Sequence, residues 1–420
     1  MNSTLLATGV FLITYGLIVT ERVNRTVAAL LGGVVMILLG VVTQEQAFGA
    51  IDWNVIFLLA GMMIIANLLR ETGLFQWIAV QAVRLGRGDP FLILIILSLI
   101  TAFASGLLDN VTIVVLVAPI TLFVAASLKV SPMPFLIAQI LASNIGGAAT
   151  LIGDPPNILI GSAAGIDFLT FALNMTPIVL VILIAFVGLS VLMFRKDLHT
   201  SRTGSPDVYA LETAELITDH KLLRKGLVVM VGVTVGFLVH GVFHLEPATI
   251  ALAGATVLML WTRSDPHDAL RDVEWSTLFF FVGLFITVEA LVEVGIIDQL
   301  AQAALDLTGG NLALTSMLLI WLSAVASGIV DNIPYTATMI PLVQRLGLTM
   351  PIEPLWWSLA LGADLGGNAT LVGASANIVV ANLAERSGYP ISFYRFLSYG
   401  VLTSFVSLIL ASIYVWIRYL

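Results

Sequence analysis

The sequence predicts an all-α polytopic membrane protein made of two inverted repeats of five spans each, with one re-entrant hairpin and one unwound helix per repeat. Three observations predict it: a composition too apolar for a soluble domain, rare polar breaks that recur at a nearly constant shift, and basic residues that fall almost wholly on one side of the implied topology. Of 420 residues, 59% are hydrophobic and 10% charged. Soluble domains run at about 45–50% and about 25%. Apolar runs near the ~20 residues that cross a bilayer recur along the whole chain. This excludes a soluble enzyme, a nucleic-acid binder and a disordered chain. With no cysteine in the sequence, a disulfide framework, cysteine-ligated zinc, iron–sulfur clusters and thiol catalysis are excluded too. Met1–Thr20 lacks a basic leading region and reads as a first span rather than a cleavable signal.

In chain order, the first repeat (1–194) holds spans near 4–20, 27–42, 53–69, 135–164 and 176–194. The second (226–420) holds spans near 226–242, 248–262, 276–292, 355–383 and 397–417. Between the third and fourth span of each set lies a pair of apolar arms broken at a polar tip. The first pair is 91–127, broken at Asp109-Asn110, and the second is 311–346, broken at Asp331-Asn332. The polar stretch 195–225 contains Gly204-Ser205-Pro206 and reads as a linker.

The halves match through their rare residues. Asp52-Trp53 through Ala79 aligns with Glu274-Trp275 through Ala301 at a shift of 222, and Asp109-Asn110 and Pro119 align with Asp331-Asn332 and Pro341 at the same shift. Gly146-Gly147-Ala148-Ala149-Thr150-Leu151 aligns at 220 with Gly366-Gly367-Asn368-Ala369-Thr370-Leu371. An odd number of spans per half inverts one half against the other. With the central linker in the cytoplasm, sixteen of the eighteen lysines and arginines are cytoplasmic and only Arg345 and Arg418 fall outside. Both termini then face the exterior.

Five acids lie deep in apolar runs: Asp109, Asp154, Asp331, Asp364 and Glu289. A charge at the bilayer centre costs about 2.5–3.5 kcal/mol or more, so such acids face a cavity as a rule. Asp109 and Asp331 sit where one arm ends and the next begins, placed to cap the following helix or to face a ligand at its positive end; pure capping is the competing reading. A carboxyl here could also take up and release a proton. The run Ser143–Asn157 interrupts a long span with glycines that permit close approach and two prolines that break the helix, and Asp364–Asn377 repeats it without prolines. Two ordinary external turns are the alternative, but they would flip the charge topology. Unwound backbone at membrane depth is tolerated only inside protein or along a water-filled cavity. Asn144 corresponds to Asp364, and Asp154 to Ala374. Glu289 reads equally as an interfacial acid, and the five histidines as solvated residues. No G-x-x-x-x-G-K-[ST] loop is present, so this chain does not itself hydrolyse ATP.

Leu108-Asp109-Asn110-Val111-Thr112 with Ala118-Pro119, and Ser143 through Gly161 (SNIGGAATLIGDPPNILIG), resemble the ion transporter superfamily, and most closely its ArsB/NhaD branch with the P-protein-type permeases. The resemblance covers essentially the whole chain. It implies two inverted repeats meeting near the midplane, no cofactor, and an inner-membrane transporter rather than an enzyme. Related dicarboxylate carriers are dimers with an elevator-like motion, which implies a homodimer here. That branch has Ser-Asn-Thr at its tips, whereas this chain has Asp-Asn followed by Val111 and Ile333. An acid where a carboxylate would dock repels it, which points away from citrate and succinate. Arsenous or antimonous acid, a neutral hydroxide, suits the same groups.

The resulting expectation is proton-coupled efflux of arsenite or antimonite. The alternatives are a Na⁺/H⁺ antiporter and an arsenite-conducting subunit of an ATPase-driven pump. The expected binding residues are Asp109, Asn110, Thr112, Asn144, Gly146, Gly147, Thr150, Asp154 and Asn157 in the first half. In the second they are Asp331, Asn332, Asp364, Gly366, Gly367, Thr370 and Asn377. Asp109 and Asp331 are the expected proton-coupling pair. No resident metal is expected.

Overall fold

The computed structural model describes residues 3–20, 22–199 and 216–420, and among them twenty α-helices and no strand. The first ten are α1 (Ser3–Thr20), α2 (Arg25–Leu38), α3 (Gln44–Gly49), α4 (Trp53–Arg70), α5 (Leu74–Leu85), α6 (Pro90–Ser105), α7 (Asn110–Leu128), α8 (Met133–Gly147), α9 (Pro155–Ala164) and α10 (Phe168–His199). The second ten follow in the same order: α11 (His220–Val239), α12 (Pro247–Thr262), α13 (Pro266–Arg271), α14 (Trp275–Glu293), α15 (Ile296–Thr308), α16 (Leu312–Ile329), α17 (Asn332–Leu346), α18 (Glu353–Gly366), α19 (Ser375–Arg386) and α20 (Phe393–Tyr419). Each helix of the first set has its counterpart ten places on.

Packing repeats in the same way. α4 lies on α12 and α14 on α2; α6 lies on α8 and α16 on α18; α7 lies on α19 and α17 on α9. Helices of the two halves therefore interlock. One group is built from α1, α2, α4 and their counterparts, and the other from α6–α9 and theirs. α8 is buried along its whole length, and α18 from Pro354 to Gly366. A helix apolar all round must be enclosed, and these two form the centre. Leu180, Ile184 and Leu192 on α10, Val231 on α11 and Ile413 and Ile417 on α20 are exposed, as a lipid-facing rim requires.

Both polar breaks form where the sequence places them. Asp109 ends the turn after α6 and caps α7 through the Thr112 amide, and Asp331 caps α17 through the Ile333 amide. The long span of each half is interrupted, at 148–154 between α8 and α9 and at 367–374 between α18 and α19. Among the described residues, eight helices are long and apolar enough to cross a membrane: α1, α4, α7, α10, α11, α14, α16 and α20. This set differs from the ten expected spans. α2 and α12 have 14 and 16 residues, or roughly 21 and 24 Å at 1.5 Å per residue against a core of about 30 Å. The arms α7 and α16, with 19 and 18 residues, reach spanning length.

The helices on either side run into the expected linker. α10 runs on through Arg195 to His199, and α11 begins at His220, where Asp219 caps the Lys221 and Leu222 amides. Charged residues such as Arg and Lys are good helix formers, so loss of hydropathy at 195 ends the apolar run without ending the helix. The Gly204-Ser205-Pro206 signal lies outside the described residues.

Two of the expected binding glycines have a packing reason to be glycine. A Cβ on Gly146 would meet the Ala102 backbone, and one on Gly366 the Ala324 backbone. α8 thus presses directly on α6, and α18 on α16. Gly146→Ala and Gly366→Ala are each expected to lower stability by about 1–3 kcal/mol. Gly188→Ala, in open space, should change it little. Thermal unfolding in detergent checks the contrast.

Candidate transport site

The two tips and the two unwound segments meet. Asn110 donates through Nδ2 to Asp154 Oδ2 at 2.8 Å, and Asn332, from the other half, donates to Asp154 Oδ1 at 3.3 Å. Asn110 Nδ2 also reaches Asn144 Oδ1 at 3.2 Å. Asn144 in turn donates to Asn377 Oδ1 at 2.9 Å and Asn368 Oδ1 at 3.0 Å. Asn110, Asn144, Asp154, Asn157, Asn332, Asp364, Asn368 and Asn377 are all buried. In a low-dielectric interior each unpaired polar group is costly, so such a network fixes one geometry.

The same logic holds the unwound backbone. Asn157 Nδ2 donates to Gly147 O and Thr150 O at 3.3 and 3.1 Å, and Asn377 Nδ2 to Gly367 O and Thr370 O, both at 2.8 Å. Each asparagine replaces donors that the broken helix no longer supplies. Thr150 and Thr370 donate to Gly106 O and Gly328 O at 2.6 Å, tying each unwound segment to the neighbouring tip. The expected site residues Thr150, Asn157, Thr370 and Asn377 therefore act here as braces for the backbone, as do the carbonyls of Gly147 and Gly367.

The tip acids are fully engaged. Asp109 accepts from the Thr112 amide at 2.9 Å and from its hydroxyl. Asp331 accepts from the Ile333 amide at 3.0 Å, Ser375 Oγ at 2.6 Å and Arg25 Nη1 at 3.3 Å. The Arg25 guanidinium also lies over the Phe280 ring, 5.5 Å from its centroid.

A cavity of about 20 Å³ opens beside Asp109, Asn110, Asp154 and Asn332, and is closed by Arg25 and Glu274. It admits one water-sized group. Three acids, Asp109, Asp154 and Glu274, line it against one cation, Arg25. A larger polar cavity of about 650 Å³ lies elsewhere, bordered by Asp52, Asn54, Asp167, His240 and Glu246. There the Asp167 carboxyl, outside the spans, is held below its ordinary value: desolvation pushes it up, but the Thr170 hydroxyl and amide outweigh that. His240 accepts from the Phe168 amide through Nε2 at 3.1 Å, and its Nδ1 lies 2.7 Å from Leu245 O. It is thus a buried, bonded residue rather than a solvated one. Glu289 is half-buried on α14 and does not border the small cavity.

Sequence reasoning missed Arg25, Glu274, Ser375 and Asn368. Arg25 opens α2 and is one of the sixteen basic residues that the charge pattern places in the cytoplasm, and Glu274 aligns with Asp52; neither relation points to a cavity. For Asn368 the signal was present, since it is the one polar replacement in the repeated Gly-Gly-x-Ala-Thr-Leu run. Truncating either amide that holds Asp154 leaves a buried carboxylate oxygen without a donor. Asn110→Ala and Asn332→Ala are each expected to cost about 1–3 kcal/mol. The pair should be non-additive by at least about 0.5 kcal/mol, read as a double-mutant cycle on thermal unfolding.

A family model described as "Citrate transporter" (CitMHS) matches residues 15–362. An uncharacterized transporter of Mycobacterium bovis is 47% identical over 421 residues, covering 98% of both chains. The 46 kDa membrane protein of Mycobacterium leprae is 45% identical over 423 residues, covering 99% of both. The human P protein is 34% identical over 483 residues, covering 94% of this chain and 57% of that protein. The crystal structure of the Alcanivorax borkumensis YdaH transporter has the same overall fold, with a TM-score of 0.59 at 15% identity over 99% of this chain and 98% of that one. The chain is a multi-pass membrane transporter, not an enzyme, and belongs to the CitMHS citrate transporter family.

Proposed function

We propose that the chain is a proton-coupled secondary transporter of the inner membrane that exports a small uncharged hydroxide, arsenite or antimonite. The observation that carries this reading is the lining of the cavity at the crossing: three acids against one arginine. A tricarboxylate is repelled by it. A neutral trihydroxide carries donors for the carboxylates and acceptors for the asparagine amides. Since the chain has no cysteine, the arsenic is recognised through its hydroxyls.

A second reading, Na⁺/H⁺ antiport, is favoured by the excess of carboxylates alone, which suits a hard cation ligated by oxygen. Both readings use the same residues: Asp109, Asn110, Asp154 and Asn332 around the solute, with Asp331 held by Arg25 and Ser375 at the second tip.

The halves are proposed to be inverted, with both termini outside, the segment between α10 and α11 cytoplasmic, and the assembly a homodimer by analogy with related carriers. The lack of native cysteine makes the orientation directly testable. Single-cysteine variants Glu45→Cys and His267→Cys should label with a membrane-impermeant maleimide from opposite sides, the first from outside and the second from the cytoplasm.

For the solute, everted vesicles with an acid-inside pH gradient should accumulate arsenite and lose it on adding a protonophore. Citrate should not move. Accumulation of sodium alone selects the antiport reading, and movement of citrate alone overturns both.

A further inference from the structure

Five acids surround the crossing, and four have donors. Asp109 is bonded by Thr112, Asp154 by Asn110 and Asn332, Asp331 by Ile333, Ser375 and Arg25, and Glu274 by Thr277. Asp364 is different. It is 0% exposed, and among the described residues neither carboxyl oxygen has a geometric hydrogen-bond donor. The Asn157 side chain lies beside it. Asn157 Nδ2 is spent on Gly147 O and Thr150 O, and its Oδ1 is buried, also without a donor among the described residues.

The repeat explains what is missing. Asn144 occupies the place of Asp364 in the first half, and Asn377 the place of Asn157. There the hydrogen bond is made: Asn144 Nδ2 donates to Asn377 Oδ1 at 2.9 Å. The same bond in the other half needs a hydrogen on position 364, and a carboxylate has none. A buried carboxylate without donors takes up a proton rather than remain charged.

We propose that Asp364 is a proton-binding site, its carboxylic O–H donating to Asn157 Oδ1, and that release of this proton couples transport. The coupling role rests on the transport reading above; the binding site does not. It moves the proton from Asp109 and Asp331, which are held by fixed donors, to the acid at the centre of the fold. The proton enters from water on one side, bonds to a carboxyl oxygen, and returns to water on the other, leaving the carboxylate.

The surroundings contain little that would neutralise that charge. The elements packed on α18 are α8, α9, α16, α17 and α20. α8, α9 and α16 carry no ionisable side chain. Asp154, at the start of α9, bears on Asp364 as a like charge. α17 offers Asp331, already held, Tyr335, bonded to Ser323, and Arg345, paired with Asp298. α20 offers Arg395, paired with Asp197, Tyr399 against Phe194, the exposed Tyr394, and Tyr414, Arg418 and Tyr419 gathered on Asn174. Glu353, at the far end of α18, meets Trp357.

Infrared difference spectroscopy of the full chain in lipid, between low and neutral pH and in H2O and D2O, tests the site without any solute. The wild-type chain should show a carboxylic-acid carbonyl band that shifts on deuteration and is lost in Asp364→Asn. Asn157→Ala keeps the acid but removes its acceptor, so it should move the band rather than abolish it. This second variant decides the matter if Asp364→Asn does not fold. A band unchanged in the variants overturns the proposal. So does its loss at constant pH on adding sodium chloride, which would assign the carboxylate to a sodium ion. Failure of vesicles to accumulate arsenite removes the proposed solute and leaves this site standing.

Discussion

The structure depends on one buried junction: the Asp154 carboxylate gripped by an asparagine from each half. Helices that stop in the middle of an apolar body leave backbone amides and carbonyls with no partner, and lipid offers none. The fold answers by bringing four helix breaks together, so that each supplies what another lacks. Asparagine recurs because it alone among these residues offers donors and an acceptor on one short side chain. Asp154 is tolerated because two of these asparagines turn toward it, and Asp331 because Ser375 and Arg25 do. Remove the junction, and the two halves lose one of the buried polar links by which they interlock.

The junction also explains how much could be read from the chain. Asp109-Asn110, Asp331-Asn332 and the glycine-rich runs are so improbable in apolar surroundings that each announced a break, and the helices end within a few residues of it. The helices α5 and α15 were not foreseen, because their periodicity is amphipathic and short, and a search for long apolar runs passes over it. α16 and α7, with 18 and 19 residues, are long and apolar enough to cross a membrane although the sequence reads them as hairpin arms, because length and hydropathy carry no mark of re-entry. At the site, most residues inside the repeated motifs were found, Asn368 and Ser375 excepted, and those outside them were not. Arg25 and Glu274 reach the cavity only because α2 and α14 pack together, a tertiary fact without a local signature.

The two halves are similar enough to align and different enough to matter. Asn144 against Asp364, and Asp154 against Ala374, place one unmatched acid on each side of the pseudo-symmetric centre. A strictly symmetric site would hold an acid at both members of each pair or at neither. Acids at all four positions would concentrate charge beyond what the interior sustains. Divergence of the repeats gives a centre in which one acid is bonded and the other is not.

The glycine contacts of α8 on α6 and of α18 on α16 have one more consequence. Where two helices touch backbone to backbone, no file of water fits between them, so those seams are electrically insulating. A membrane holding a voltage and a pH difference tolerates a carrier only if ions cannot slip alongside it. Gly146 and Gly366 close these two seams by having no side chain at all.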